Sequence, residues 1–251
     1  MANPVPPTPA DMRESEASGA TAAIFADIRA VQRAGNVNYI WRHLATIPDA
    51  LDAAWLRVKP RTGEIRDFGE AVWSRAQILA RPCLGAASGL PAWPEEASRV
   101  FASYAVGNRW NLAALTLLLT GRLPDVPEAQ APQPVSGVPA IPAFDALPEP
   151  VKGAITALAN AGPGADSGIR PSLWVHLGLW PETLLAIEPG LSAILRSDAF
   201  RSGHADLLEF CGRPDPENEG LPAEAVHSLK RFQRRISEMT LIGALLQPES
   251  R

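Results

Sequence analysis

Cysteine is scarce in this sequence of 251 residues. Only Cys83 and Cys211 occur, which is too few for a disulfide framework, and neither stands in a spacing that zinc ligands adopt. Four histidines are spread along the chain, and none of them pairs with a second ligand at metal spacing. We therefore expect no metal site.

Long apolar runs and clusters of basic residues are also missing. The longest apolar run, Leu112 to Leu119, is far shorter than a membrane span. The 23 basic residues are outnumbered by 27 acidic ones, and no basic run stands out. The first residues lack the apolar segment of a signal peptide. We expect a cytoplasmic protein that binds neither nucleic acid nor a membrane.

The common catalytic and nucleotide-binding motifs are absent as well. The sequence contains no P-loop, no G-x-G-x-x-G, no H-E-x-x-H and no G-x-S-x-G. Alanine and leucine are abundant, whereas alternation of β-branched residues is nearly absent. This composition predicts an all-α fold.

One helical pattern occurs twice. The pattern W-x-H-L-x-x-x-P-x-x-L matches Trp41 with Trp174 and His43 with His176, and Gly-Leu-Pro-Ala also recurs at 89–92 and 220–223. Both the identities and the apolar helical stripe are preserved, which predicts that the two tryptophans are buried. The pattern indicates two pseudo-symmetric copies of one helical unit, packed like a fused dimer.

A proline-rich segment separates the two copies. Eight prolines occur between Leu123 and Pro150, and they favour extended backbone over helix. We divide the chain into a disordered tail at 1–19, a first helical repeat at 20–122, a Pro-rich linker at 123–149 and a second helical repeat at 150–251. A ligand site is expected between the two repeats.

The stretch from Tyr104 to Asn111 combines amides, a cation and aromatic rings. The amides of Asn108 and Asn111 could hold a carboxylate, and Arg109 could pair with one bidentately. The plainer interpretation is a helix N-terminus that is capped by Asn108.

Two further groups have a structural and a catalytic interpretation. The repeated histidines His43 and His176 either bridge the two copies or act as a general base. Asp166 lies in a glycine-containing loop before the second W-x-H helix, where it either caps that helix or activates water.

The duplicated helical halves, the element Asn38-x-x-Trp41-Arg42-x-Leu44-Ala45, the following Pro48 and the region of Asn108 and Asn111 resemble the DehI family, the group I 2-haloacid dehalogenases. The resemblance covers most of the chain beyond the N-terminal tail. It implies an all-α pseudo-dimer with the active site between its repeats. It also implies hydrolysis of D- and L-2-haloalkanoic acids with inversion, without a covalent ester and without a cofactor.

The resemblance also implies roles for individual residues. An aspartate of the second repeat is expected to activate the water that attacks the α-carbon, and Asp166 is the nearest carboxylate. The implied substrate-binding residues are Asn38, Trp41, Asn108, Asn111 and Ser172. The expected partner is a small carboxylate substrate, and a homodimer is left open. The alternative is a divergent, non-catalytic member that binds a small carboxylate or a protein partner in the cleft between the repeats.

Overall fold

The computed structural model describes residues 8–33, 36–130, 132–133, 135, 137–215 and 220–247, and helices are the only regular elements in these ranges. The α-helices are α1 (Gly19–Gln32), α2 (Tyr39–Leu44), α3 (Ala50–Val58), α4 (Thr62–Ala80), α5 (Leu84–Ala87), α6 (Glu95–Thr120), α7 (Glu149–Ala161), α8 (Ser172–Leu177), α9 (Pro181–Arg196), α10 (Asp198–Cys211) and α11 (Ala223–Leu246). Short 3₁₀ turns lie at Glu14–Glu16, Lys59–Arg61, Arg81–Cys83, Phe144–Ala146 and Ala165–Ser167. The prediction of an all-α fold is confirmed.

The two longest helices, α6 and α11, pack against each other at the centre of the molecule, and α4 packs on both. Each long helix begins directly after a proline, Pro94 or Pro222. Every residue of α6 from 108 to 119, and of α11 from 235 to 246, is buried. A helix that is buried on all faces needs neighbours on every side, and α4, α8 and α10 provide them.

The long helices are more continuous than the sequence pattern predicts. α6 runs without a break from Glu95 to Thr120, and α11 from Ala223 to Leu246. A helix N-terminus capped by Asn108 is therefore wrong, because Asn108 lies well inside α6. The weakest helix former before it, Gly107, costs only about 1 kcal/mol relative to alanine, which tertiary packing overrides.

The two W-x-H segments form the short helices α2 and α8, and each histidine contacts the long helix of the other half of the chain. His43 stacks on Phe232 of α11, with ring centroids 5.6 Å apart, and its Nε2 lies 2.9 Å from Ser228 Oγ. His176 meets Tyr104 of α6 edge-on at 5.8 Å. These contacts fit the interpretation in which the histidines bridge the two halves.

The N-terminal segment differs from the disordered tail that we expected for 1–19. From residue 8 onward it is packed against α2, whereas the first seven residues lie outside the described ranges. The Tyr39 hydroxyl donates a hydrogen bond to the Pro9 carbonyl, and Asp11 forms an ion pair with Arg42 at 2.8 Å. The described part of the tail is therefore held by side chains of the first W-x-H helix.

Both repeated tryptophans are buried, with exposed fractions of 1 % for Trp41 and 0 % for Trp174. The Trp41 Nε1–H donates to Asn111 Oδ1 at 2.8 Å, whereas the Trp174 Nε1–H has no hydrogen-bond partner among the described residues. Counted from the first residue of each long helix, Met239 stands in α11 where Asn111 stands in α6. A thioether is a weak acceptor, which explains why only one indole is paired.

A buried ion pair holds the loop that precedes α8. Arg235 and Glu238 of α11 are almost completely buried and lie 2.9 Å apart. Glu238 also accepts from the Gly164 backbone N–H, and Arg235 donates to the Ala159 carbonyl at 2.9 Å and to Ser167 Oγ at 3.3 Å. A Cβ at residue 164 would lie 2.6 Å from the carboxylate, so this close approach requires glycine. Removing one partner would leave an uncompensated buried charge.

Replacing either buried tryptophan by alanine is expected to lower the free energy of unfolding by about 3–5 kcal/mol, because each leaves a large cavity in the core. The milder variants Trp41→Phe and Trp174→Phe distinguish the indole that has a hydrogen-bond partner from the one that has none. The first should cost about 1 kcal/mol more, since it alone loses a hydrogen bond to Asn111. Urea unfolding measures these differences. Equal costs for the two phenylalanine variants would contradict the assigned difference in hydrogen bonding.

Three buried histidines should make the protein sensitive to mild acid. Burial lowers the pKa of His43, His176 and His204 below the ordinary value of 6.5, so near that pH the unfolded chain takes up protons that the folded chain does not. The stability that is present above pH 6.5 should fall as the pH drops toward the folded-state pKa values. The loss should be at most about 1.4 kcal/mol per pH unit for each histidine. Urea unfolding across this range measures the slope.

A matched pair of variants tests the cause. The His176 Nε2–H donates to the Pro139 carbonyl at 2.9 Å, and glutamine at this position keeps a donor but cannot titrate. His176→Gln should therefore make the dependence of stability on pH shallower. His227→Gln, at an exposed position of α11, should leave the slope unchanged. An unaltered slope in His176→Gln would show that its burial is not the source.

Candidate active site

A cavity of about 420 Å³ lies beside the middle of α6. Its walls come from the end of α1, from α4, from α6 and from part of the proline-rich linker. The lining residues are 30–33, Asn36, Asn38, Thr62, Gly63, Arg66, Gly69, Glu70, Ser103, Tyr104, 106–111, Pro132, Gln133 and Val135. We call it the large cavity, and its volume is typical of small-molecule sites.

A second void of about 40 Å³, the small cavity, adjoins the large one. Asn38, Tyr104 and Asn108 line both, and the opposite wall of the small cavity comes from the second half of the chain, including Ser172 and Phe232. The structure therefore brings Asn38, Asn108 and Ser172 together, although they lie far apart in the sequence.

Asn111 lies in the wall of the large cavity, and Trp41 lies behind it and is hydrogen-bonded to it. Asn111 borders the large cavity but is completely buried, and three of its hydrogen-bonding positions are used inside the protein. Its Oδ1 accepts from Trp41 Nε1 at 2.8 Å and from Gln32 Nε2 at 3.1 Å, and its Nδ2 donates to the Gly107 carbonyl at 2.7 Å. Trp41 lines neither cavity, so its position does not fit the expected contact with substrate.

Asp166 lies away from both cavities. Its side chain is 57 % exposed and forms an ion pair with Arg234 at 2.7 Å. It belongs to the 3₁₀ turn at Ala165–Ser167 and does not cap α8, whose N-cap residue is Pro171. A water-activating carboxylate should be partly desolvated to be basic enough. This exposed position does not fit the expected role of Asp166 as the catalytic base.

Two charged residues face the large cavity instead. Arg109 of α6 is only 9 % exposed, and its Nε lies 3.0 Å from Oε1 of Glu70 on α4. The guanidinium also lies 5.3 Å from the centre of the Trp73 ring. The Nε–H has no well-oriented hydrogen bond within the described structure, so the contact with Glu70 is an ion pair and not a directed bond. A buried guanidinium with unused donors can bind a carboxylate strongly.

A glycine sets the distance between the helices that carry this pair. A Cβ at Gly69 would lie 3.3 Å from the Arg109 carbonyl oxygen and 3.6 Å from the Trp110 Cα. Because Gly69 lacks a side chain, α4 crosses α6 at close range. The next residue along α4, Glu70, is thereby brought against the Arg109 guanidinium.

Burial and charge act in opposite directions on this pair. Burial raises the pKa of Glu70, and the positive charges of Arg109 and Arg66 oppose the rise. Burial likewise lowers the pKa of Arg109, and Glu70 opposes the fall. Arg66 has a second partner, Asp67, at 2.8 Å. Among the described residues that line the large cavity, three are arginines, Arg33, Arg66 and Arg109, and one is a carboxylate, Glu70. The electrostatic potential of the cavity therefore favours an anion.

Sequence reasoning identified Arg109 but missed Glu70. The two residues are far apart in the chain and meet only because α4 packs on α6. The available signal was Gly69, since a glycine inside a helical segment often marks a close approach between backbones.

The structure also bears on other classes of site. Within the described ranges, His, Cys, Asp and Glu side chains form no group of three that could hold a metal ion. None of the helices in those ranges combines the length and the apolar character that a membrane span requires.

Comparison with known proteins identifies the fold. No protein-family model matches the chain, and no curated protein matches its sequence. Among solved structures, a D-2-haloacid dehalogenase mutant in complex with D-2-CPA matches over 96 % of both chains, with 14 % identity and a TM-score of 0.71. A D-2-halacid dehalogenase mutant matches along 99 % of both chains, with 16 % identity and a TM-score of 0.72. A D-2-haloacid dehalogenase with L-LA matches along the full length of both chains, with 15 % identity and a TM-score of 0.71. The chain therefore has the fold of these dehalogenases.

Asp166→Asn is expected to leave both ligand binding and stability nearly unchanged. The Asp166–Arg234 pair is exposed, so its loss should lower the free energy of unfolding by less than about 1 kcal/mol. Calorimetric titration with propionate, a small carboxylate that suits the positive potential of the large cavity, and thermal unfolding measure the two effects. A marked loss of propionate binding in Asp166→Asn would contradict the separation of this residue from the cavities.

Proposed function

We propose that this protein hydrolyses small 2-halocarboxylic acids in the large cavity, releasing halide when water attacks the α-carbon. One observation carries the proposal: the buried guanidinium of Arg109 faces a cavity of ligand size, next to the amide of Asn108. The likeness in fold to D-2-haloacid dehalogenases, one of which is in complex with D-2-CPA, supports this substrate class.

The substrate carboxylate would pair with Arg109, because a planar guanidinium matches a carboxylate bidentately. The amides of Asn108 and Asn38 are the neighbouring donors, and Tyr104 adds a phenol. Burial raises the pKa of Tyr104, so its hydroxyl stays neutral and can donate. The α-carbon and its halogen would then lie toward the small cavity, where Ile236 and other apolar residues can surround the leaving group.

The proposed architecture is a duplicated unit, with repeats at 20–122 and 150–251 joined by the linker at 123–149. Three features support it. The W-x-H helices make equivalent cross-contacts, both long helices follow a proline, and Tyr104 and Phe232 stand at the same position when each long helix is counted from its first residue. In this architecture the small cavity would lie between the two copies, since its lining residues come from both halves of the chain.

A second candidate function is non-catalytic binding of a small carboxylate in the same cavity. Two observations favour it. Asp166, the residue expected to activate water, is exposed and ion-paired, and no Asp or Glu is found among the described residues that line the small cavity. Halide release separates the two candidates.

Wild-type protein is expected to release halide from D- or L-2-chloropropionate. Arg109→Lys keeps the charge but removes the planar fork, so KM should rise about tenfold to a hundredfold, the equivalent of a lost charge-assisted pair of about 1.5–3 kcal/mol. Initial rates of halide release over a range of substrate concentrations measure this change. The matched control is Arg99→Lys, at an exposed position of α6 where the arginine pairs with Glu95, and its KM should not change.

The outcomes distinguish the candidate functions. Binding of propionate without halide release from any short 2-halo acid would favour the non-catalytic candidate. Failure to bind propionate at all would contradict both. An unchanged KM in Arg109→Lys would show that the guanidinium does not hold the substrate carboxylate.

A further inference from the structure

We infer that Glu70 is the general base that activates the attacking water, an inference that rests on the proposed function. Among the described residues that line the two cavities, Glu70 carries the only carboxylate, and no histidine lines either one. Hydrolysis by direct attack of water needs a proton acceptor beside the bound substrate, and Glu70 lines the large cavity in which the substrate is proposed to bind.

Glu70 has the environment that a base requires. Its side chain is 25 % exposed, which leaves one side open to the cavity while the packing of α4 on α6 removes part of its hydration. A partly desolvated carboxylate is a stronger base than a fully hydrated one. Arg109 and Arg66 favour the ionised form, so the group can be both ionised and basic.

The contact with Arg109 couples the base to substrate binding. The ion pair is made through the guanidinium Nε, at 3.0 Å, so that the Nη groups can bind the substrate carboxylate. Once that second negative charge has bound, Arg109 attracts Glu70 less strongly, and the carboxylate becomes more basic. The base is therefore strongest when the substrate is in place.

The step balances without any further reactant. Glu70 accepts a proton from water as the water oxygen forms a bond to the α-carbon, and the carbon–halogen bond breaks with its electron pair leaving on the halide. The products are a 2-hydroxy acid, a halide ion and a protonated Glu70, which returns its proton to solvent. The attack inverts the configuration at the α-carbon because the oxygen enters opposite the leaving group.

The first experiment compares three variants of α4 with wild type. Glu70→Gln keeps the size but loses the base, so kcat for halide release should fall about a hundredfold or more, while propionate binds as in wild type or more tightly. Glu70→Asp keeps a carboxylate at a shorter reach and should show an intermediate rate. Glu64→Gln, at an exposed position where the glutamate pairs with Arg61, is the control and should leave kcat unchanged.

These results separate the base assignment from the proposed function. Wild-type turnover with undiminished turnover in Glu70→Gln would overturn the base and leave the proposed function standing. No turnover in wild type would overturn both. Thermal unfolding and propionate binding identify a variant that has lost its fold. If Glu70→Gln does not fold, Glu70→Asp serves as the test instead. Halide release by Glu70→Asp at the wild-type rate would then contradict the assignment of Glu70 as the base.

A single turnover in ¹⁸O-labelled water, with enzyme in excess over substrate, tests the same assignment independently. A base leaves the carboxylate oxygens untouched, so the 2-hydroxy acid should carry ¹⁸O from the first turnover. If Glu70 attacked carbon itself, the first product would carry unlabelled oxygen from the protein. Unlabelled product would therefore overturn its role as a base.

Discussion

The packing of α6 against α11 is the constraint on which the rest of the structure depends. The C-terminal halves of both helices are buried on every face, so the polar side chains in them have to find partners inside the protein. Asn111 does so with the indole of Trp41, and Arg235 does so with Glu238. The short helix α2 and the loop before α8 are therefore held against the central helices by polar contacts as well as by apolar packing.

The candidate site lies on the side of α6 that faces α4. Gly69 allows the two helices to approach closely, and the ring of Trp73 packs beside the Arg109 guanidinium. The burial that stabilises this helix crossing also removes water from Glu70 and raises its pKa. The electrostatic character of the cavity is thus a direct result of how the helices pack, and a change in the spacing of α4 and α6 would alter charge and shape together.

Features that neighbouring residues encode could be predicted from the sequence, and features that depend on distant contacts could not. The helical stripe around Trp41 and Trp174 predicted their burial, because periodicity alone decides which face is apolar. The sequence suggests Asn108 as a helix cap because the pattern does not reveal that the residues before it already belong to α6. Asp166 is close to α8 in sequence, but its exposure is set by how its turn lies on α11. Glu70 reaches the large cavity only because α4 packs on α6, and a single sequence does not reveal that crossing.

The buried ion pair of α11 also makes the two long helices unequal in the space beside them. Counted from the first residue of each long helix, Arg235 stands in α11 where Gly107 stands in α6. Beside Gly107 the space is open, since an added Cβ would meet nothing within 4 Å, whereas Arg235 fills its surroundings with a guanidinium that is bound to Glu238. The space beside α6 is therefore open at this position, whereas the matching space beside α11 is occupied by a side chain. This difference predicts one ligand per chain at the large cavity, so that any cooperativity between such sites would have to arise between separate molecules.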